Sequence, residues 1–243
     1  MILDRRTLLT TAAAATLCTV GAAAPVPRAP QLAPPGTPLR YGVLGDSITG
    51  RGSFSSRESG TWTTLLQSRL EKTWQVTRVK GATSRDAQGV TCLASVDSVP
   101  FGCDLVVVGL GTNDCREQRD GSYVYTPDDT HTAARVLFGA VAAANPGAVI
   151  VALGVWSDST EQWTPEGSAY PVSRVESWDE LIGDCVAEAG GIHIPCADLY
   201  LCSAYRLPAG RPAFGGYTTD GFHPNDAGHE ALYRRVAHRL RLP

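Results

Sequence analysis

The chain alternates between short apolar runs and longer amphipathic stretches. Leu39-Arg-Tyr-Gly-Val-Leu44 is mostly apolar and breaks at Gly45-Asp46-Ser47. That pattern predicts a buried strand ending in a loop. Trp62, Leu65, Leu66 and Leu70 recur at helical spacing and predict a helix over 62–70. Gln75–Val79 alternates as a second strand and leads into Lys80-Gly81-Ala82-Thr83, with a short helix expected around 87–96. The β-branched run Asp104–Leu110 predicts a strand buried on both faces, and it ends in Gly111-Thr112-Asn113-Asp114. Pro127-Asp128-Asp129 opens a helix with proline and acids in its first turn, and Asn145-Pro146-Gly147 stops it. Ala148–Leu153 reads as another buried strand. A long connection over 154–171 precedes a helix over 172–189, a short strand at Ile192–Ile194, irregular sequence and a last helix over 225–241. Strands alternate with helices throughout. The expected fold is α/β: a doubly wound, three-layer α/β/α sandwich around a central parallel sheet.

The chain has 243 residues, 43% of them hydrophobic and 19% charged, enough for one domain with a sizeable core. Its formal net charge of -3 and the lack of a Lys/Arg cluster interleaved with aromatics argue against a nucleic-acid partner. The first residues change the picture. Arg5-Arg6-Thr7-Leu8-Leu9 precedes an Ala-rich run to Ala24, which reads as an export signal over 1–27 and resembles the twin-arginine type. The run is too short for a membrane span, so a secreted product without stable membrane insertion is expected. A Pro-rich tether over 28–38 then leads to one domain over 39–243. Of 7 cysteines, Cys18 leaves with the signal. An even set stays: Cys92, Cys103, Cys115, Cys185, Cys196 and Cys202. In an exported chain such a set suggests disulfides, and proximity along the chain favours Cys92–Cys103 and one bridge within Cys185, Cys196 and Cys202. No Cys-x-x-Cys pair occurs, so no zinc site is expected.

Candidate chemistry collects at the ends of the strands. Three polar, Gly-containing turns follow three predicted strands: Gly45-Asp46-Ser47, Gly81-Ala82-Thr83 and Gly111-Thr112-Asn113. A parallel sheet places them on one edge, where open α/β sheets bind ligands. Asp220-Gly221-Phe222-His223 lies just before the last helix. A serine hydroxyl is a poor nucleophile at neutral pH. His223 would take the proton of Ser47, and Asp220 would fix the imidazole tautomer. Gly221 allows the tight bend between them, and Pro224 restricts His223 to extended backbone. The Ser47 and Gly81 backbone N–H groups and the Asn113 amide would supply an oxyanion hole. Asp46 reads as a structural acid of the turn, and Asp114 as a brace of its loop. His131, His193, His229 and His238 lack catalytic company and read as structural or solvent-facing. Arg57 and Glu58 read as a solvated helix start. Trp156, Trp163, Tyr170 and Trp178 divide between core packing and the wall of an acyl or sugar pocket.

Gly45-Asp-Ser-Ile48, Gly81, Gly111-Thr-Asn-Asp114 and Asp220-Gly-Phe-His-Pro224 resemble the ordered blocks of the SGNH (GDSL-type) hydrolases. The resemblance spans about Leu39 to the C-terminus. It implies a flavodoxin-like fold, Ser47 as nucleophile, His223 as base, Asp220 as its partner, and Ser47, Gly81 and Asn113 as oxyanion donors. One departure is Val79, where the family often has asparagine two residues before the glycine. The Gly-x-Ser-x-Gly elbow of α/β-hydrolases is absent, since Thr49 stands in place of its second glycine. The expected protein is a secreted, monomeric serine esterase that needs no metal or organic cofactor. Its expected substrates are lipid or short-chain carboxylic esters. The alternatives are removal of acetyl groups from a polysaccharide and, in a different class, a catalytically silent binding protein on the same fold.

Overall fold

The structure is a computed structural model that describes residues 32–49, 60–83, 90–118, 120–156, 168–169, 175–196, 199, 217 and 223–243. The expected export signal, Arg57, Glu58, Trp163, Tyr170, Cys202 and Asp220 lie outside the described residues.

Five strands form one sheet: β1 (Pro38–Gly45), β2 (Gln75–Thr83), β3 (Leu105–Gly109), β5 (Val149–Leu153) and β7 (Ile192–Ile194). Their spatial order is β2-β1-β3-β5-β7 and every pairing is parallel, so counted along the sheet the order is 2-1-3-4-5. This is the flavodoxin-like order. The register sets Val43 beside Val107 and Val107 beside Val151. The period of two then sorts β3: Leu105 and Val107 face one layer, Val106 and Val108 the other. The first layer holds α1 (Trp62–Leu70) and α4 (Asp226–Arg239) through Trp62, Leu66, Leu70, Leu232 and Val236. The second holds α2 (Pro127–Ala144) and α3 (Val175–Glu188) through Leu137, Phe138, Val141, Ile182 and Val186. The predicted three-layer sandwich is the observed fold.

Local chemistry sets the helix ends. Thr126 and Asp129 form a capping box at the start of α2, with Pro127 in the first helical position. Asn145 ends it: its Nδ2 donates to Val141 O at 2.9 Å and to Pro100 O at 2.8 Å, and its Oδ1 accepts from Cys103 N at 2.8 Å. One predicted element differs. The helix expected around 87–96 is a 3-10 turn at Leu93–Ser98, opened by Thr91 and pinned where Asp114 accepts from Cys92 N. A two-stranded antiparallel pair, β4 (Glu117–Gln118) with β6 (Ser168–Ala169), was not foreseen. Two residues per strand carry no readable periodicity.

The favoured Cys92–Cys103 bridge is not made. Cys92, Cys103, Cys115 and Cys185 are buried free thiols. Cys103 precedes β3 at the amino end of the sheet, whereas Cys92 is tied to Asp114 beyond its carboxyl end. A five-residue strand lies between, about 16 Å at 3.3 Å per residue, too far for a disulfide. Neighbours along the chain are thus at opposite edges of the sheet. Among the described residues no helix is long and apolar enough to cross a membrane.

His229 joins α4 to α1. Thr61 gives the first turn of α1 no side-chain cap, and the imidazole supplies the missing acceptor: Nδ1 receives the Trp62 N–H at 3.3 Å. The ring is fully buried, and burial lowers its pKa to about 4. Above pH 6.5 it is neutral both folded and unfolded. Between pH 6.5 and 4 only the unfolded chain takes the proton, so the folded state loses up to about 3 kcal/mol, fully by pH 4. Chemical denaturation of both proteins across pH 4–8 should show the parent losing up to about 3 kcal/mol relative to His229→Gln between pH 6.5 and 4, on top of the titrations the two share. Parallel curves would refute the buried neutral ring.

Candidate active site

The order of strands reverses between β1 and β3, and there the sheet opens a crevice at its carboxyl edge. Ser47 lies two residues past β1, and Asn113 four past β3. The turn carrying Ser47 is held from three directions. Thr49 N donates to Asp46 O at 3.1 Å and closes it. Ile48 N donates to Asp46 Oδ1 at 2.9 Å, an Asx turn. Asp46 N at 3.2 Å and Thr49 Oγ1 at 3.1 Å both donate to Gly109 O, which fastens the turn to the end of β3. That contact needs glycine on both strands. A Cβ at Gly45 would lie 2.3 Å from Thr49 Cβ, and one at Gly109 would lie 2.1 Å from Thr49 Oγ1.

The histidine arrives from the far end of the chain. Asn225 caps α4 by accepting from Gly228 N at 2.9 Å, and its own N–H donates to Tyr217 O at 2.8 Å. His223 therefore sits two residues ahead of a fixed helix start. Its Nε2 is 3.1 Å from Ser47 Oγ, a contact between residues 176 positions apart. Both residues are half-buried. Their separation is that of a nucleophile and its base. Asp220, the expected orienting acid, lies outside the described residues.

The expected oxyanion donors stand nearby. Asn113 is in a 3-10 turn, Thr112–Cys115, entered through Gly111 at φ 111°. Its buried amide Nδ2 donates to Val90 O at 2.9 Å and to Asp46 Oδ2 at 3.3 Å. Gly81 falls where β2 is irregular. Val43 pairs with Lys80 and Gly45 with Thr83, so two steps of β1 meet three of β2. Such a bulge turns backbone N–H groups out of the ladder, often next to active sites. The sequence reading ended this strand at Val79, and the glycine marked the irregularity rather than the end.

Two buried acids surround these residues. Burial lifts the Asp46 carboxyl to about 7, opposed by the Ile48 N–H and by His223 and reinforced by Asp114. Burial lifts Asp114 to about 6, opposed by Cys92 and Arg116. Asp114 braces its loop, as expected, by accepting from Cys92 N at 3.1 and 3.2 Å. Trp156 and Trp178 are core residues: Trp156 N donates to Thr112 Oγ1 at 2.9 Å, and Trp178 meets Tyr123 edge-on at 5.9 Å.

A second His–Asp pair escaped the sequence reading. Asp179 Oδ1 accepts from Val155 N at 2.9 Å and lies 3.1 Å from His193 Nε2. It ties α3 to the ends of β5 and β7. Fourteen residues of separation across a helix and a strand leave no sequence signal for it.

A parallel sheet of flavodoxin-like order, with a serine–histidine pair in its topological crevice, is the architecture of a serine hydrolase. Residues 43–231 match the model of the GDSL-like lipase/acylhydrolase family, and the chain belongs to that family of ester-hydrolysing enzymes. No curated protein sequence matches it. Among solved structures the chain is similar to the acetyl xylan esterase AlAXEase, at 17% identity and a TM-score of 0.58 over 82% of this chain and 98% of that one. It is also similar to a two-domain esterase active on acetylated mannans, at 16% identity and a TM-score of 0.57 over 85% of this chain and 50% of that one. A third is an α/β hydrolase from the metagenome of Lake Arreo, Spain, at 16% identity and a TM-score of 0.55 over 84% of this chain and 95% of that one.

Proposed function

We propose that the protein is a secreted serine esterase in which Ser47, His223 and Asp220 hydrolyse carboxylic esters through an acyl-enzyme. The observation that carries this reading is the 3.1 Å approach of His223 Nε2 to Ser47 Oγ. The imidazole takes the hydroxyl proton as Oγ attacks the ester carbonyl carbon. The tetrahedral oxyanion receives N–H donors from Ser47, Gly81 and Asn113. Collapse breaks the bond to the alcohol, which leaves with the proton held by His223. Water, deprotonated by the same ring, then frees the acid and restores Ser47. Asp220 holds the imidazole tautomer. The export signal over 1–27 supports action outside the cell.

The substrate reading rests on the surroundings. A cleft of about 510 Å³ lies between the 3-10 turn at Leu93–Ser98 and α2, with Asp114, the residue after Asn113, in its wall. Leu93, Tyr125 and Val136 line it with exposed apolar surface. Such surface favours esters with an aliphatic part. The two carbohydrate esterases of the same fold support a second reading, removal of acetyl groups from a polysaccharide. Two measurements test the proposal together. A fluorophosphonate should add covalently to Ser47 in the parent and not in Ser47→Ala, read by peptide mass. A series of p-nitrophenyl esters from acetate to decanoate, beside acetylated xylan, should favour the aliphatic esters. Faster turnover of the xylan would replace the first substrate reading with the second, and a fluorophosphonate adduct elsewhere would remove Ser47 as nucleophile.

A further inference from the structure

Asp46 is the residue whose chemistry the mechanism above leaves unused. It is buried, it neighbours the nucleophile, and the sequence marked it only as a structural acid of the turn. Its two carboxyl oxygens do different things. Oδ1 accepts from Ile48 N at 2.9 Å and shapes the turn that aims Ser47. Oδ2 faces the Asn113 amide nitrogen at 3.3 Å, across 67 residues.

An asparagine amide has two ends of similar shape and opposite polarity. Only the NH2 end can donate to an oxyanion. Its two N–H groups face Val90 O at 2.9 Å and Asp46 Oδ2 at 3.3 Å in the resting site, so an oxyanion takes the N–H of the longer contact in exchange. A carboxylate accepts and cannot donate, so beside ionised Asp46 the amide turns its nitrogen inward. Val90 O, also an acceptor, enforces the same choice at 2.9 Å. The flipped amide would set a carbonyl oxygen against a carboxylate and a backbone carbonyl inside the protein, where unpaired polar contacts are costly. Leu or Ala at 46 would leave the choice to Val90 alone.

We propose that Asp46 is a positioning residue: its carboxylate selects the donor end of the Asn113 amide while holding the turn of Ser47, so that one acid registers two oxyanion donors. The proposal rests on the esterase reading for its functional consequence and on geometry alone for the contact. Its charge state matters, because a protonated carboxyl presents a hydroxyl that competes with the amide. Burial brings that titration to about 7, within the working range of an enzyme. The titratable groups acting on Asp46 or acted on by it are His223 ahead of α4, Asp114 and Cys115 in the turn after β3, and Cys92 at the head of the Leu93–Ser98 turn.

The direct test is an NMR titration of the signal-free protein. The Asn113 side-chain ¹⁵N and ¹H resonances and the Asp46 carboxyl ¹³C should move with one shared midpoint. This needs no substitution and no substrate. His223→Gln should keep the Asn113 shift, and Asp46→Asn should abolish it. An Asn113 amide that ignores the Asp46 titration, or follows His223 instead, overturns the proposal. Kinetics supply the second arm. Asp46→Asn keeps an oxygen for Ile48 N, so kcat should fall about 10- to 100-fold with KM within about twofold, the mark of a contact used in the transition state. Asn113→Ala should fall about 100-fold or more, and the double variant should be no more than about threefold slower than Asn113→Ala alone. Additive losses would overturn the coupling. If Asn113→Ala itself leaves hydrolysis unchanged, the oxyanion reading fails, and the shared midpoint still decides the contact.

Discussion

Ser47→Ala is expected to lower kcat for ester hydrolysis by at least about 10⁴-fold, leaving only what binding and the oxyanion donors supply. Fold and stability should be nearly unchanged. The turn at 46–49 is held by backbone groups, the Asp46 carboxylate and the Thr49 hydroxyl, and none of these bonds uses Ser47 Oγ. His223→Gln should be about as slow, because a glutamine amide in place of the ring cannot accept the hydroxyl proton. The double variant should be scarcely slower than either single one, since the two groups act as a unit. Measured with one p-nitrophenyl ester and circular dichroism on each variant, the set separates mechanism from misfolding. Independent, multiplicative losses would mean that the 3.1 Å contact is not the working proton path. Unchanged rates in all three would leave the fold as that of a binding protein.

Asp179→Ala is expected to have the largest effect on stability among single polar substitutions, a loss of about 3 kcal/mol. It strips Val155 N and His193 Nε2 of their shared acceptor. It also opens a void against Gly154, whose own Cβ position is filled by the Asp179 carboxyl. At this chain length the melting temperature should fall by about 6–12 °C. Asp179→Asn keeps an oxygen for Val155 N and should cost about 1 kcal/mol. The kcat of the molecules that remain folded should match the parent. A selective loss of kcat without a melting shift would instead make Asp179 and His193 a working pair. The comparison matters because this pair resembles half a triad, yet it sits by β5 and β7, and among the described residues no serine bonds to it.

The two pairs show why one site was legible in the sequence and the other was not. Ser47 and Asn113 follow β-branched or apolar runs that can only be buried strands, and a parallel sheet must bring such ends to one edge. Their neighbourhood follows from periodicity and topology. His223 joins them because a helix start, capped by Asn225, fixes where the chain re-enters that edge. Asp179 and His193 carry no such mark. One is on a helix face, the other on a three-residue strand, and their meeting depends on how α3 lies across the sheet. His229 read as an ordinary helix histidine, and only the packing of α4 on α1 gave its ring the Trp62 N–H to accept. The cysteines failed for the same reason in reverse. Chain proximity favoured Cys92 with Cys103, while the intervening strand carries them to opposite edges.

The amino-acid sequence by itself determined the five strands of the parallel sheet, the four α-helices and the turns that carry Ser47 and Asn113. Each follows from side-chain periodicity and turn chemistry, which act over a few residues. Tertiary structure alone decided which remote buried polar groups meet: Asp46 with Asn113, Asp179 with His193, His229 with Trp62. A buried polar group must find an acceptor or donor wherever packing sets one within about 3 Å, and that distance is fixed by layers folded from remote parts of the chain.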